Sequence, residues 1–184
     1  MDRAMLAQTL LARAHLRGTF RLRSGAESTE YFDKYRFEAD PQLLRTVADA
    51  LVPLVPPSVD LLAGLELGGV PIATLLAQQT GHSIRFVRKA AKPYGTAAQV
   101  EGGPVTQCRV LIVEDVVTSG GAVIDAVRAL RALGAEITDA LCVVDREAGG
   151  AKALAAEGVR LQALFTYRDL VGESPVAVNS RGHR

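Results

Sequence analysis

Tryptophan is absent from this 184-residue chain, and aromatic residues together make up only 5% of it. A platform that stacks nucleic-acid bases needs exposed aromatic rings, so that function is disfavoured. An excess of one charge is also missing: 21 Lys and Arg against 20 Asp and Glu leave a net +1. Sequence-independent binding to nucleic acid needs a large basic surplus, so any basic site here has to be local. Cysteine occurs twice, as Cys108 and Cys142, at or within apolar runs and without a CxxC or Cys/His cluster. A structural metal site and a disulfide framework are therefore not expected, and two reduced, buried thiols in a cytoplasmic protein are. The histidines, His15, His82 and His183, show no ligand spacing. No run approaches the roughly 18 apolar residues of a membrane-spanning helix. Ala12-Arg13-Ala14 imitates a leader cleavage site, but the preceding apolar stretch is broken by Gln8 and Thr9 and follows Asp2, which reads as an amphipathic helix. Neither a nucleic-acid nor a membrane partner is expected.

What is present suits one globular domain over residues 1–184: 48% of residues are hydrophobic and 22% charged. Met5, Leu6, Leu10 and Leu11 predict a helix over 3–16 that stops at Gly18. Thr19–Arg23 and the aromatic stretch Tyr31–Phe37, with a turn at Ser24-Gly25, predict an antiparallel hairpin. Pro41 opens a second helix, which Pro53, Pro56 and Pro57 stop. Residues 1–40 thus form an N-terminal helix and hairpin, and 41–170 an α/β core. In that core, apolar runs at 60–63, 84–87, 109–113, 137–144 and 160–165 alternate with helical patterns at 70–79, 120–133 and 151–157. Val110-Leu111-Ile112-Val113 is apolar on both faces, as a strand covered on each side by helices must be. The expected fold is a doubly wound, mainly parallel sheet flanked by helices, with ligands bound at the carboxyl ends of its strands. Residues 88–104, rich in glycine and proline, break the rhythm and read as a binding loop.

The strongest chemical signal follows that apolar strand. Two adjacent carboxylates, Glu114 and Asp115, lead through Val116 and Val117 into Thr118-Ser119-Gly120-Gly121-Ala122 and then a helix. Such a loop can aim several backbone N–H groups and two hydroxyls at one point, with the helix N-terminus adding positive potential. It is a phosphate cradle. There is no GxxxxGK[ST] and no GxGxxG after a strand, which excludes the P-loop and the dinucleotide fingerprint. A cradle beside an acidic pair, without the P-loop lysine, suits a sugar phosphate.

This stretch resembles the phosphoribosyl-diphosphate signature of the type I phosphoribosyltransferases. The resemblance implies that fold, Mg²⁺ carried mainly by the diphosphate and not by a protein site, ribose hydroxyls bound by Glu114 and Asp115, and a 5′-phosphate wrapped by Thr118–Ala122. Three further segments are similar to the orotate-specific members. Arg88-Lys89-Ala90-Ala91-Lys92-Pro93-Tyr94-Gly95 resembles their catalytic loop, which implies Arg88, Lys89 and Lys92 as the groups that stabilise a departing diphosphate, with Asp115 among the catalytic residues. Tyr94 stands where many relatives carry His. Phe20-Arg21-Leu22-Arg23-Ser24-Gly25 with Tyr31 and Phe32 resembles their hood; Arg23 takes the place of a cation that is usually Lys, and the aromatic pair lies against the base. Val143-Val144-Asp145-Arg146-Glu147 implies Arg146 as the grip on the orotate carboxylate, with Thr118 also on the orotate side. Gly64-Leu65-Glu66-Leu67-Gly68-Gly69 resembles a turn near the diphosphate, but with Glu66-Leu67 where some relatives have Tyr-Lys, so its side chains are expected to add little. The resemblance further implies a homodimer that shares loop 88–104 across its interface. A purine phosphoribosyltransferase and a non-catalytic sensor of phosphoribosyl diphosphate are the competing readings.

Overall fold

The computed structural model describes residues 1–21, 25, 27–91 and 98–172. Asp2 starts α1 (Arg3–Ala14) by accepting a hydrogen bond from the Met5 N–H. The chain turns directly into β1 (His15–Arg21), which pairs antiparallel with β2 (Glu27–Phe32). One turn of helix, α2 (Tyr35–Glu38), leads to α3 (Pro41–Leu51), whose first N–H groups are capped by the Asp40 carboxylate.

The core then alternates as the apolar runs suggest: β3 (Leu61–Leu65), α4 (Gly69–Thr80), β4 (Ser83–Val87), β5 (Val100–Glu101), β6 (Val110–Val117), α5 (Gly121–Ala132), β7 (Asp139–Asp145), α6 (Gly150–Ala156), β8 (Arg160–Thr166) and α7 (Tyr167–Val171). The six-stranded sheet has the order β5-β4-β3-β6-β7-β8. All neighbours are parallel except β5, which pairs antiparallel with β4. Two apolar layers cover it. Leu111 and Val113 of β6 join α1, α3 and α4 on one face, through Leu6, Leu10, Val47 and Ile72. Val110 and Ile112 join Val123, Val127 and Leu130 of α5 on the other.

Three expectations need correction. The first helix ends at Ala14, not at 16, because β1 begins at His15 to pair with Phe32. The second hairpin strand runs over 27–32, not 31–37. Phe32 and Phe37 are both buried, and five residues of strand would place them on opposite faces; the turn of helix at 35–38 lets both reach one core. The acidic pair lies inside β6, which runs on through Val117, and not at the strand's end. The two-residue β5 and the short α7 are too brief to show a period in the sequence.

Helix α4 lies so close to β6 that a Cβ at Gly69 would sit 2.3 Å from the Val113 carbonyl oxygen. Neither backbone can yield without shifting helix against sheet. Gly69→Ala is expected to cost about 1–3 kcal/mol of overpacking strain. Thermal denaturation should show it as a fall of roughly 2–4 °C per kcal/mol; an unchanged midpoint would contradict the close approach.

Candidate active site

Strand β6 delivers the chain to a turn, Thr118-Ser119-Gly120, that opens α5. Gly120 caps the helix at φ +82°, a left-handed conformation that glycine adopts without a Cβ penalty. Thr118, Ser119, Gly121 and Ala122 are exposed around it. The first N–H groups of a 12-residue helix therefore face an open cleft of about 470 Å³. The same cleft is lined by Glu114, Val116 and Val117 of β6, by Glu66, and by Arg88, Lys89 and Gln99. Arg88 and Gln99 close the base of their segment: the Arg88 N–H donates to the Gln99 carbonyl at 2.9 Å, and the Gln99 amide returns to the Arg88 carbonyl at 3.2 Å. Arg88 Nε is buried and has no hydrogen-bond partner among the described residues. The Glu66 carboxylate, at the end of the adjacent β3, accepts the Lys89 N–H at 2.9 Å.

Asp115 lies on the other side of the strand. Its side chain is fully buried and its Oδ2 is 2.6 Å from Lys34 Nζ. A Cβ at Gly68 would collide with that oxygen and come within 2.7 Å of Glu38 Oε1, so the absent side chain makes the room in which the carboxyls meet. Glu114 Oε1 accepts the Asp115 N–H at 3.0 Å, and Asp115 Oδ1 accepts the Val116 N–H. Asp115 is thus the carboxyl paired with Lys34, with Glu38 beside it and Glu114 next along the strand. Burial, then the Asp115 charge and a shared hydrogen bond, push the Glu114 carboxyl up to about 9. Burial, then a hydrogen bond to Asp115 and its charge, push Glu38 up to about 8. Burial pulls the Lys34 ammonium down, but the Asp115 charge and hydrogen bond outweigh it and hold its pKa above the usual lysine value.

Arg146 follows β7 on the hood side. Its guanidinium stacks 4.2 Å from the centroid of the Tyr167 ring and 5.8 Å from that of Phe32. Its side chain forms no ion pair among the described residues. Phe32 is buried, whereas Tyr31 is exposed and stacks on Phe20 with centroids 5.5 Å apart. The structure therefore gathers Arg88, Lys89, Glu114, Val116, Val117 and Thr118–Ala122 in one cleft, and sets Phe32, Arg146 and Asp115 outside its lining. Arg23, Lys92 and Tyr94 lie outside the described residues. Lys34, Glu38 and Tyr167 were not singled out from the sequence. Lys34 lies two residues beyond the hood's Phe32, and Tyr167 sits in the capping box Thr166-Tyr167-Arg168-Asp169, the signals by which these two could have been found. Among the described residues no group of three or more His, Cys, Asp or Glu side chains is arranged to hold a metal ion, and no helix is long and apolar enough to cross a membrane.

Comparison with known proteins follows this geometry. Residues 37–159 match the phosphoribosyl transferase domain family. The chain is 52% identical over 167 residues to an orotate phosphoribosyltransferase of a Nocardioides species, covering 91% of this chain and 93% of that protein. It is 40% identical to the orotate phosphoribosyltransferase of Methanocella arvoryzae, over 86% of this chain and 90% of the relative. Among solved structures, the orotate phosphoribosyltransferase of Mycobacterium tuberculosis in complex with 5-phospho-alpha-D-ribosyl 1-diphosphate superposes with a TM-score of 0.79 at 32% identity, over 93% of this chain and 99% of that one.

The raised carboxyls make stability depend on pH. Folded Glu114 and Glu38 keep protons that the unfolded chain releases near pH 4.5. The folded state thus binds more protons between about pH 4.5 and 8, and stability falls as pH rises through that window. Each retained proton contributes a slope of up to about 1.4 kcal/mol per pH unit. Urea denaturation at pH 5, 6, 7 and 8 should show the decline, and Glu114→Gln should flatten it. An equal slope in the variant would contradict a protonated Glu114.

Proposed function

The chain belongs to the orotate phosphoribosyltransferases of the phosphoribosyl transferase domain family, and on that premise we propose that it transfers ribose 5-phosphate from 5-phospho-α-D-ribose 1-diphosphate to orotate, giving orotidine 5′-phosphate and diphosphate in pyrimidine biosynthesis. One observation carries the reading: a helix-capped phosphate cradle shares its cleft with the cations Arg88 and Lys89, while an aromatic-backed arginine, Arg146, stands on the other side of the same strand ends.

In this reading Thr118–Ala122 hold the 5′-phosphate on the α5 N-terminus, and Glu114 and Asp115 take the ribose hydroxyls. Orotate is held by the Arg146 fork on its carboxylate and by Tyr31, Phe32 and Thr118. The bond from the anomeric carbon to diphosphate breaks with its electron pair leaving on oxygen. An orotate ring nitrogen supplies the pair for the new bond, and its proton passes to the departing diphosphate or to solvent. No covalent nucleophile is required of the protein. Its residues position both substrates and stabilise the negative charge that grows on the leaving oxygens. The buried, unpartnered Arg88 Nε supports that role for Arg88, with Lys89 beside it; Lys92, Arg23 and Tyr94 complete the set in the same reading. In this reading Mg²⁺ enters on the diphosphate, whose charge it would neutralise when bound. We place the enzyme in the cytoplasm as a homodimer that shares loop 88–104 between protomers.

Purified protein with phosphoribosyl diphosphate and Mg²⁺ should consume orotate, followed by its absorbance, and leave uracil, adenine and hypoxanthine unchanged. Turnover of a purine instead would retain the cradle and discard the roles of Arg146 and the hood. Lys89→Ala should lower kcat by about 10²-fold or more while orotate affinity changes little; equal losses in both would remove Lys89 from charge stabilisation. Mixing a Lys92→Ala protein with a Ser119→Asp protein should restore activity through hybrid dimers, and no recovery would contradict loop sharing.

A further inference from the structure

Glu38, Asp115 and Lys34 meet beneath Gly68, where the hood segment touches the core strand that carries the acidic pair. We propose that Lys34 and Glu38 are positioning residues for ribose recognition: together they clamp the Asp115 carboxylate in one orientation, and so make the sugar-hydroxyl site depend on a seated hood. The inference rests on the reading of Glu114 and Asp115 as the ribose-binding pair and names the groups that hold the second of them.

Asp115 is fully buried, and an isolated carboxylate there would pay the full cost of lost hydration. Lys34 Nζ, 2.6 Å from Oδ2, offsets its charge. The backbone fixes the opposite oxygen, because the Val116 N–H donates to Oδ1. Glu38 approaches the Oδ2 side; its Oε1 and Asp115 Oδ2 are both buried without a hydrogen-bond partner among the described residues, Lys34 meeting Oδ2 as an ion pair. Two carboxylate oxygens cannot satisfy one another, so a proton on Glu38, donated to Asp115, is what makes the contact favourable. The raised Glu38 pKa agrees with that proton. Asp33 and Glu114 are the other acidic groups whose charge bears on this cluster. Neither Lys34 nor Glu38 lines the cleft, so both act through Asp115 and not on the phosphates.

The test separates sugar from phosphate. Binding of ribose 5-phosphate and of inorganic phosphate is measured by calorimetry for the whole protein and its variants, with thermal midpoints alongside. Lys34→Met should weaken ribose 5-phosphate about tenfold or more, the effect of leaving the buried Asp115 charge without its partner, and leave inorganic phosphate within threefold. Lys34→Arg should recover part of the loss. Glu38→Gln, whose amide can still donate to Asp115, should keep ribose 5-phosphate within threefold, whereas Glu38→Leu should not. Equal weakening of both probes in Lys34→Met, or indifference of ribose 5-phosphate to it, would overturn the proposal. A protein that shows this sugar-selective pattern yet consumes no orotate would overturn the reaction assigned above and leave the clamp standing.

Discussion

Side chains that are adjacent on a β-strand point to opposite faces, and strand β6 applies that constraint to its two carboxyls. Glu114 faces the cleft formed with the α5 N-terminus. Asp115 faces the hood, beneath Gly68 and against Lys34. The parallel order places β6 at the centre of the sheet, between β3 and β7, so the turns after all three strands converge on this point. The glycine turn after β3, the Thr-Ser-Gly turn after β6 and Arg146 after β7 are neighbours for that reason.

Placing two acids in a nearly dry strand is unfavourable unless charge is removed or matched. Both solutions appear. Lys34 matches Asp115, and burial with mutual repulsion keeps protons on Glu114 and Glu38. The cluster then approaches neutrality, which is how a centre with three carboxyls coexists with the apolar layers on each side of the sheet. In the proposed reaction the same partition is useful. The cradle side handles phosphate and diphosphate, and the hood side handles the base, with the ribose between them.

Much of this was legible in the sequence where local chemistry dictates structure. The apolar runs 109–113 and 137–144 became β6 and β7, and Thr118-Ser119-Gly120-Gly121 became the capped entrance of α5 because small and hydroxylated residues leave few alternatives there. The hood was less legible. Its aromatic stretch suggested a strand through Phe37, and only the tertiary need to bury Phe32 and Phe37 together selects the helical turn. Lys34 has only its place after the hood aromatics and Glu38 has no motif, since their importance comes from Asp115, distant in the chain and near only in the fold. The Glu66 contact was not legible for the same reason: its partner, the Lys89 N–H, is 23 residues away.

The partition of the site is the central claim, and titration of phosphoribosyl diphosphate with Mg²⁺, in the absence of any base, tests it most directly. The titration compares the wild-type chain with Ser119→Asp, which sets a carboxylate in the cradle, and with Arg146→Ala on the hood side. Binding should be lost in Ser119→Asp through like-charge repulsion, and should stay within about threefold of wild type in Arg146→Ala. Comparable losses in both variants would show that the two faces of β6 do not divide the work, and would contradict the account.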